Sequence, residues 1–127
     1  MHPKLIAPCG MNCALCWAYL REKNTCPGCM AIDTHIPITR VRCKIKKCAI
    51  IKKNKWGRCS TKCEEFPCER LESLDKRYRT KYGMSMVDNL KNIEKNGIKR
   101  FIEAEKKRWI RGDKVFCVHT KKLCKIA

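Results

Sequence analysis

Residues 9–29 read Cys9-Gly-Met-Asn-Cys13-Ala-Leu-Cys16, then nine further residues, then Cys26-Pro-Gly-Cys29. This stretch holds two Cys-x2-Cys pairs. The sulfurs of each pair fall on the same side of a tight turn or of one helical turn, so the two pairs can close on one tetrahedral metal. Thiolates at this spacing bind zinc at about 2.3 Å or hold an iron–sulfur cluster. The stretch therefore predicts a metal site, with Cys9 as a spare or alternative ligand.

A second group of cysteines follows at looser spacing. It reads Cys43-x4-Cys48 and then Cys59-x3-Cys63-x4-Cys68. Five thiols can provide one four-ligand site and one surplus cysteine, around either zinc or a cluster. We therefore expect about two zinc ions per chain, with a [4Fe-4S] cluster as the alternative. The predicted metal ligands are Cys9, Cys13, Cys16, Cys26, Cys29, Cys43, Cys48, Cys59, Cys63 and Cys68.

The length and composition favour a single small domain that metals stabilise. The chain has 127 residues, of which twelve are cysteines and only nine are aromatic, so its core is expected to be thin. The mean hydropathy is −0.48, and no apolar run approaches the roughly 18 residues of a membrane span. The first residues lack the apolar segment of a signal peptide. We expect a cytoplasmic protein, where thiols stay reduced and favour metals over disulfides, with thermophile cytosols as the exception.

A strongly basic stretch overlaps the second group of cysteines. The formal net charge is +18, and residues 34–63 contain no Asp or Glu. Basic side chains around an aromatic ring can follow phosphates and stack a base, so this stretch predicts a surface for RNA or DNA over residues 40–62. The competing interpretation is a solvated surface that offsets the thiolate charge. The candidate contacts are Arg40, Arg42, Lys44, Lys46, Lys47, Lys52, Lys53, Lys55, Trp56 and Arg58.

The amino-terminal half predicts little regular structure. Asn12 can cap a short helix that starts at Cys13, which places thiols beside free backbone N–H groups. Residues 30–42 are β-branched in places and predict a loop with one short strand. His35 stands alone in this segment, and we interpret it as a surface residue.

The carboxy-terminal half predicts three helices. Pro67 suits the first turn of a helix that runs to about Tyr82 and ends at Gly83. Ser85-x-x-Asp88 is a capping box that opens the next helix, which ends at Gly97. A third helix runs from Ile98 to about Arg111. The buried positions predicted from helical spacing are Leu71, Leu74, Tyr78, Tyr82, Met86, Leu90, Ile93, Ile98, Phe101, Ile102 and Trp109.

The predicted fold class is a small, mostly-α, metal-stabilised domain. Irregular cysteine knuckles occupy its amino-terminal half over residues 9–68, helices occupy residues 67–111, and residues 112–127 form a tail. The tail contains Cys117, His119 and Cys124, which are three potential ligands without a fourth nearby. We expect no metal at the tail.

Four motifs together resemble the prokaryotic family called domain of unknown function 3795. They are Cys9-Gly-x2-Cys13-x2-Cys16-x-Ala18-Tyr19, Cys26-x-Gly28-Cys29, Cys43-x-Ile45-x2-Cys48-Ala49 and Phe66-Pro67-Cys68-Glu69. The later Asp88-Asn89-Leu90, Gly97-Ile98, Phe101 and Trp109 look like the helical half of that family, so the resemblance extends from about Ile6 to Cys124. Relatives often carry a further Cys-x2-Cys-Gly knuckle after the tryptophan, and Ile110–Lys114 lacks it here. The resemblance implies an architecture and a metal, but no reaction.

The function classes differ in what the thiols do. The first is a non-catalytic protein with structural zinc, because four thiolates leave no open position for a reacting water. The second is an iron–sulfur protein for electron transfer or redox sensing, which would need a redox partner. Nucleic-acid binding is compatible with either metal. We identify no catalytic constellation: the sequence lacks paired carboxylates, a serine nucleophile elbow and a phosphate-binding glycine loop.

Overall fold

The computed structural model describes residues 1–32 and 35–126, which form a helical body with one small sheet. Two 3-10 turns come first, Pro3–Leu5 and Cys13–Leu15. The helices are α1 Trp17–Leu20, α2 Ile38–Val41, α3 Ala49–Asn54, α4 Glu69–Tyr82, α5 Met86–Asn96 and α6 Ile98–Trp109. The strands β1 Ile110–Arg111, β2 Lys114–Phe116 and β3 Leu123–Lys125 form an antiparallel sheet in that order. Val115 pairs with Ile110 on one side and with Cys124 on the other.

The three helices predicted for the carboxy-terminal half are confirmed. α4 ends at Gly83, which has left-handed φ and ψ angles of 66° and 26°. α5 begins after Ser85, whose side-chain oxygen accepts a hydrogen bond from the Asp88 backbone N–H at 3.1 Å, as a capping box requires. Gly97 separates α5 from α6. The buried members of the predicted stripes are Leu71, Tyr78, Met86, Leu90, Phe101 and Ile102.

Two segments differ from the sequence prediction. The described residues of segment 30–42 contain α2 and no strand, while Asp33 and Thr34 lie outside the described residues. Pro37, directly before α2, fixes a φ that favours the start of a helix. The tail carries the sheet, which the sequence did not reveal because strands of two or three residues are too short to show a period of two. α6 accordingly ends at Trp109, two residues earlier than predicted.

One hydrophobic core joins the cysteine-rich segment to the helices. Leu15 from the amino-terminal half packs in the same buried cluster as Leu71 and Met86 from the helices and Val118 from the tail. A second cluster joins Ile6 to two residues of α6. The cysteine-rich segment therefore shares its core with the helical half. Its position is set by long-range packing as well as by its own turns.

A buried carboxylate, which the apolar spacing did not predict, connects α4 to α5. Asp75 Oδ1 accepts hydrogen bonds from the Ser85 hydroxyl at 2.7 Å and the Val87 backbone N–H at 3.0 Å. Its Oδ2 accepts one from Arg79 Nε at 2.7 Å. Burial alone would raise the pKa of Asp75, but these donors outweigh it and lower the pKa. The ionised carboxylate therefore stabilises the turn between the two helices.

Candidate metal centre

The turn at residues 7–10, which carries the first cysteine, packs directly on α5. The Gly10 N–H donates to the Ala7 carbonyl oxygen at 2.9 Å and closes the turn. Gly10 has a φ of 91°, and a Cβ built there would lie 2.9 Å from both Leu90 Cγ and the Met86 carbonyl oxygen. A side chain at this position would therefore force the turn and the helix apart. Glycine allows both the backbone angle and the close approach.

Asn12 holds the next cysteine in place. Its Oδ1 accepts a hydrogen bond from the Ala14 N–H at 3.1 Å and so caps the 3-10 turn Cys13–Leu15, as predicted. Its Nδ2 donates to Glu105 Oε1 on α6 at 3.5 Å. Glu105 Oε2 in turn accepts from Trp109 Nε1 at 2.8 Å, and burial raises the pKa of the Glu105 carboxyl. The buried Asn12 therefore joins the first Cys-x2-Cys pair to the last helix.

The residues after β2 fix the other end of the same segment. The Val118 N–H donates to the Leu15 carbonyl oxygen at 2.9 Å. The Trp17 N–H donates to His119 Nδ1 at 3.1 Å, so the neutral imidazole carries its hydrogen on Nε2. That Nε2–H donates to the hydroxyl oxygen of Tyr78, 3.0 Å away on α4. His119, considered above as a potential ligand, thus connects Trp17 to α4.

A cavity of about 690 Å³ brings together the cysteines of the amino-terminal segment. Residues of α4 also line this cavity. Cys43, which the sequence placed in the second cysteine group, lies on the wall of this cavity. The cysteines that line it are Cys9, Cys13, Cys16, Cys26, Cys29 and Cys43.

Two of these thiols are in direct contact. The Cys29 backbone N–H donates to Cys13 Sγ at 3.5 Å, which is the type of hydrogen bond that supports a metal-bound sulfur. A hydrogen bond between the two side chains and burial both raise the pKa of Cys13. Burial also raises the pKa of Cys9 to about 12, with smaller upward contributions from Cys29 and Cys43. These thiols are therefore protonated at neutral pH, and a bound metal would displace their protons.

The remaining four cysteines of the two groups line a second, much smaller cavity of about 20 Å³. Cys48 precedes α3 and Cys68 precedes α4, both as N-cap residues beside free backbone N–H groups. Burial raises the pKa of Cys59 to about 11, and the neighbouring thiols at Cys68, Cys63 and Cys48 add to it. The four thiols that line this cavity are Cys48, Cys59, Cys63 and Cys68.

The thiols share cavities without converging on a single point. All twelve cysteines are free, with no disulfide between them. Within residues 1–32 and 35–126, no group of three or more Cys, His, Asp or Glu side chains is arranged to hold a metal ion. The donors that line the two cavities are predominantly sulfur. Soft thiolate ligands of this kind suit zinc and iron–sulfur clusters.

Charged residues that are exposed to solvent also border the larger cavity. Arg70 and Arg77 lie on α4 and line the cavity together with Lys44 and Glu69. Residues 70, 73, 74 and 77 of α4 line the cavity at helical spacing, so Arg70 and Arg77 lie on one face of this helix. This spacing was visible in the sequence. The cavity beside this helix face could not be predicted from the sequence.

The tail cysteines lie apart from both cavities. Cys117 is fully buried after β2, and Cys124 lies in β3. Burial and the nearby Cys117 thiol raise the pKa of Cys124. His35, in the described part of segment 30–42, is exposed.

The basic residues proposed for nucleic-acid contact fall into two sets. Arg58 donates to the Ile6 carbonyl oxygen at 3.2 Å and to the Pro3 carbonyl oxygen at 2.8 Å, so it fastens the amino terminus. Trp56 lines the smaller cavity, and Lys46 is partly buried. The side chain of Arg40 lies outside the described part. The exposed members are Arg42, Lys44, Lys47, Lys52, Lys53 and Lys55.

The fold and the thiol-lined cavities define a cysteine-rich helical protein with a small sheet. Residues 5–73, just over half of the chain, match the family described as protein of unknown function DUF3795, and the chain belongs to this family. The match ends within α4, so α5, α6 and the sheet lie beyond it, although the sequence motifs suggested a resemblance up to Cys124. The comparisons find no similar curated protein and no similar solved structure. Within the described residues, no helix combines the length and the hydrophobicity needed to cross a bilayer.

Proposed function

We propose that the protein binds metal at two cysteine-ligated centres and that both centres hold structural zinc. The observation that carries the proposal is the partition of ten cysteines between two cavities. The first centre draws its ligands from six residues, Cys9, Cys13, Cys16, Cys26, Cys29 and Cys43. The second draws them from Cys48, Cys59, Cys63 and Cys68.

The role of the metal follows from its ligands. Zinc held by four thiolates has no open position, so it would supply folding free energy and no hydrolytic chemistry. The second centre lies between the start of α3 and the start of α4, where it would join the basic segment to the helical half. The first would join the turn at residues 7–10 to the segment around Cys43. Both would hold parts of the chain that contain few regular elements.

An iron–sulfur cluster is the alternative occupant of the larger cavity. The Cys29 N–H bonded to Cys13 Sγ and the partial burial of the thiols are features that tune cluster potentials. A cluster would make the protein an electron carrier or a redox sensor. The four thiols of the small cavity match the ligand count of a single zinc ion.

Metal content distinguishes these occupants. The protein is purified without oxygen, and its zinc, iron and acid-labile sulfide are measured together with its visible spectrum. We expect about two zinc ions per chain and no visible charge-transfer absorption. Iron with matching sulfide and broad visible absorption would show that a cluster, and not zinc, occupies the larger cavity. A metal-free protein with all thiols titratable would overturn the proposal.

A second candidate function is the binding of RNA or DNA by the exposed cations of the basic stretch. Lys52, Lys53 and Lys55 lie on and just after α3 and are all exposed. No acidic residue lies within residues 35–63 to offset them. Partial burial of Trp56 makes phosphate contact, rather than base stacking, the main expected interaction. Such binding would be largely independent of nucleotide sequence.

The test compares two triple variants of equal charge. Lys52, Lys53 and Lys55 are changed to glutamine in one variant, and in the control the exposed Lys91, Lys95 and Lys99 are changed instead. We expect the first variant to lose affinity for duplex DNA and single-stranded RNA and to show a weaker salt dependence. Equal losses in both variants would indicate a non-specific effect of net charge.

A further inference from the structure

We propose that Cys117 and Cys124 form a reversible redox pair, in which a low-molecular-weight disulfide oxidises the two thiols to a disulfide between β2 and β3. The pair lies in the tail, apart from both thiol-lined cavities, so it is additional to the proposed metal centres. All twelve cysteines are free in the structure, which therefore represents the reduced form of the pair.

The strand register places the two cysteines on one face of the sheet. Val115 of β2 lies opposite Cys124 of β3, and Cys117 follows Val115 by two residues. Side chains two residues apart along a strand share a face. Burial agrees with this arrangement, because Val115 and Cys117 are both buried. Cys117 is therefore the diagonal cross-strand neighbour of Cys124 on the buried face.

One carbonyl oxygen contacts both cysteines and limits the distance between them. The Lys122 carbonyl oxygen accepts a hydrogen bond from the Cys117 N–H at 2.9 Å and one from Cys124 Sγ at 3.9 Å. Cys124 Sγ therefore lies within about 7 Å of the Cys117 backbone nitrogen. Cysteines joined by a disulfide have Cα atoms about 4.4–6.8 Å apart. Rotation of the two side chains can thus bring the sulfurs together while the strands keep their register.

The exposure of the two thiols sets the order of the exchange. Cys124 is half-buried and can meet the oxidant, whereas Cys117 is fully buried. The Cys124 thiol loses its proton, and its thiolate attacks one sulfur of the small disulfide; that S–S bond breaks, and the first small thiolate leaves and takes up a proton. Cys117 then loses its proton and attacks Cys124 Sγ, which expels the second small thiolate. Two protein thiols are oxidised by two electrons, and the small disulfide is reduced to two thiols.

The segment between the two cysteines contacts the first Cys-x2-Cys pair, so the bond would act beyond the tail. The Val118 N–H donates to the Leu15 carbonyl oxygen at 2.9 Å. His119 Nδ1 accepts a hydrogen bond from the Trp17 N–H at 3.1 Å. A disulfide would close this segment into a short loop and restrict it in the unfolded chain. We therefore expect oxidation to stabilise the fold at the point where the tail docks on the amino-terminal segment.

Peptide mapping of the wild-type protein tests the pair directly. The folded protein is brought to equilibrium with glutathione disulfide, its remaining thiols are alkylated, and it is digested with trypsin. Cleavage after Lys121 and Lys122 separates the two cysteines into peptides 115–121 and 123–125. We expect these two peptides to be recovered as one species that is two hydrogens lighter than their sum and that a reducing agent separates. This measurement needs no variant, so misfolding of a mutant cannot obscure it.

Thermal unfolding of two variants measures the effect of the bond. Cys124→Ser removes one thiol of the pair, and the matched control Lys125→Ser changes an exposed residue of the same strand and keeps both thiols. After the same oxidation, the midpoint of the wild type and of Lys125→Ser should rise by about 5–10 °C relative to that of Cys124→Ser. Oxidation of the cavity thiols would affect all three proteins equally, so it cancels in this comparison.

Three results would overturn the redox pair. A lasting glutathione adduct on Cys124 with Cys117 alkylated would show that the buried thiol does not reach its neighbour. A link from either cysteine to a residue of segment 9–68 would assign it another partner. Reduced tail thiols at equilibrium with excess glutathione disulfide would show that the bond does not form. None of these readouts depends on bound zinc, so the redox pair and the metal centres can fail independently.

Discussion

Replacing Gly10 by alanine tests whether the cysteine turn depends on close packing against α5. The new Cβ would lie 2.9 Å from Leu90 Cγ and 2.9 Å from the Met86 carbonyl oxygen. The Leu90 side chain can shift, but the Met86 carbonyl belongs to the helix backbone. The φ of 91° at Gly10 is also unfavourable for any L residue.

The cost of this change can be worked from three contributions. Left-handed strain costs about 1–2 kcal/mol, and overpacking costs about 1–3 kcal/mol. The turn cannot swing away freely, because Asn89 Nδ2 donates to the Gly10 carbonyl oxygen at 3.0 Å and would lose that bond. We expect Gly10→Ala to lower the free energy of unfolding by about 3 kcal/mol in total.

Gly83→Ala is the matched control for this prediction. Gly83 has a φ of 66°, and a Cβ there would have no atom within 4 Å. Its substitution therefore carries the strain without the overpacking and should cost about 1 kcal/mol. Urea denaturation, followed by far-ultraviolet circular dichroism at equal metal loading, gives both values. If Gly10→Ala were no more destabilising than Gly83→Ala, the close packing of the turn on α5 would be refuted.

Three further predictions concern other parts of the molecule. Asp75→Asn should lower the stability at pH 7 by about 1–2 kcal/mol. Hydrogen bonds lower the pKa of Asp75 below its ordinary 3.8. The carboxylate therefore contributes its full share of the folding stability above pH 3.8, and this stability is lost as the pH falls through the lower pKa of the folded state. The difference between wild type and variant in pH-dependent urea denaturation should therefore narrow in acid, and a constant difference would contradict the assignment. Asn12→Ala removes the cap on the 3-10 turn and the hydrogen bond to Glu105. Thermal unfolding should therefore show that the free energy of unfolding falls by about 2 kcal/mol. A decrease below about 0.5 kcal/mol would show that the link between Asn12 and Glu105 is dispensable. Cys63→Ser should remove about one zinc ion per chain in elemental analysis, because only four thiols line its cavity, and unchanged zinc would remove Cys63 from the ligand set.

Local signals in the sequence were enough to predict the helical half. Gly83 and Gly97 end helices because they tolerate backbone angles that other residues resist, and Ser85 begins one because its side chain satisfies a free N–H. Each signal acts within a few residues, so it can be read without the rest of the chain. The strands of the tail gave no such signal. They are too short for alternation to be visible, and they exist because they pair with one another.

The grouping of the thiols could be predicted only in part. Spacing placed Cys13, Cys16, Cys26 and Cys29 together because close pairs have little freedom to separate. Cys43 lines the larger cavity with the thiols of the first group, so its neighbours in sequence were a poor guide. Arg70 and Arg77 are exposed beside the larger cavity, and the sequence could not predict that cavity because a helix face shows its spacing but not what lies opposite.

The sequence by itself determined the family, the three long helices and the abundance of thiol donors, because motif spacing, caps and composition are local properties. Tertiary structure decided which thiols share a cavity, since that depends on contacts between residues far apart in the chain. The bond from Asn12 to Glu105 and the packing of Gly10 on α5 bring the cysteine segment against the helices. In the folded chain, six cysteines line the larger cavity and four line the smaller one.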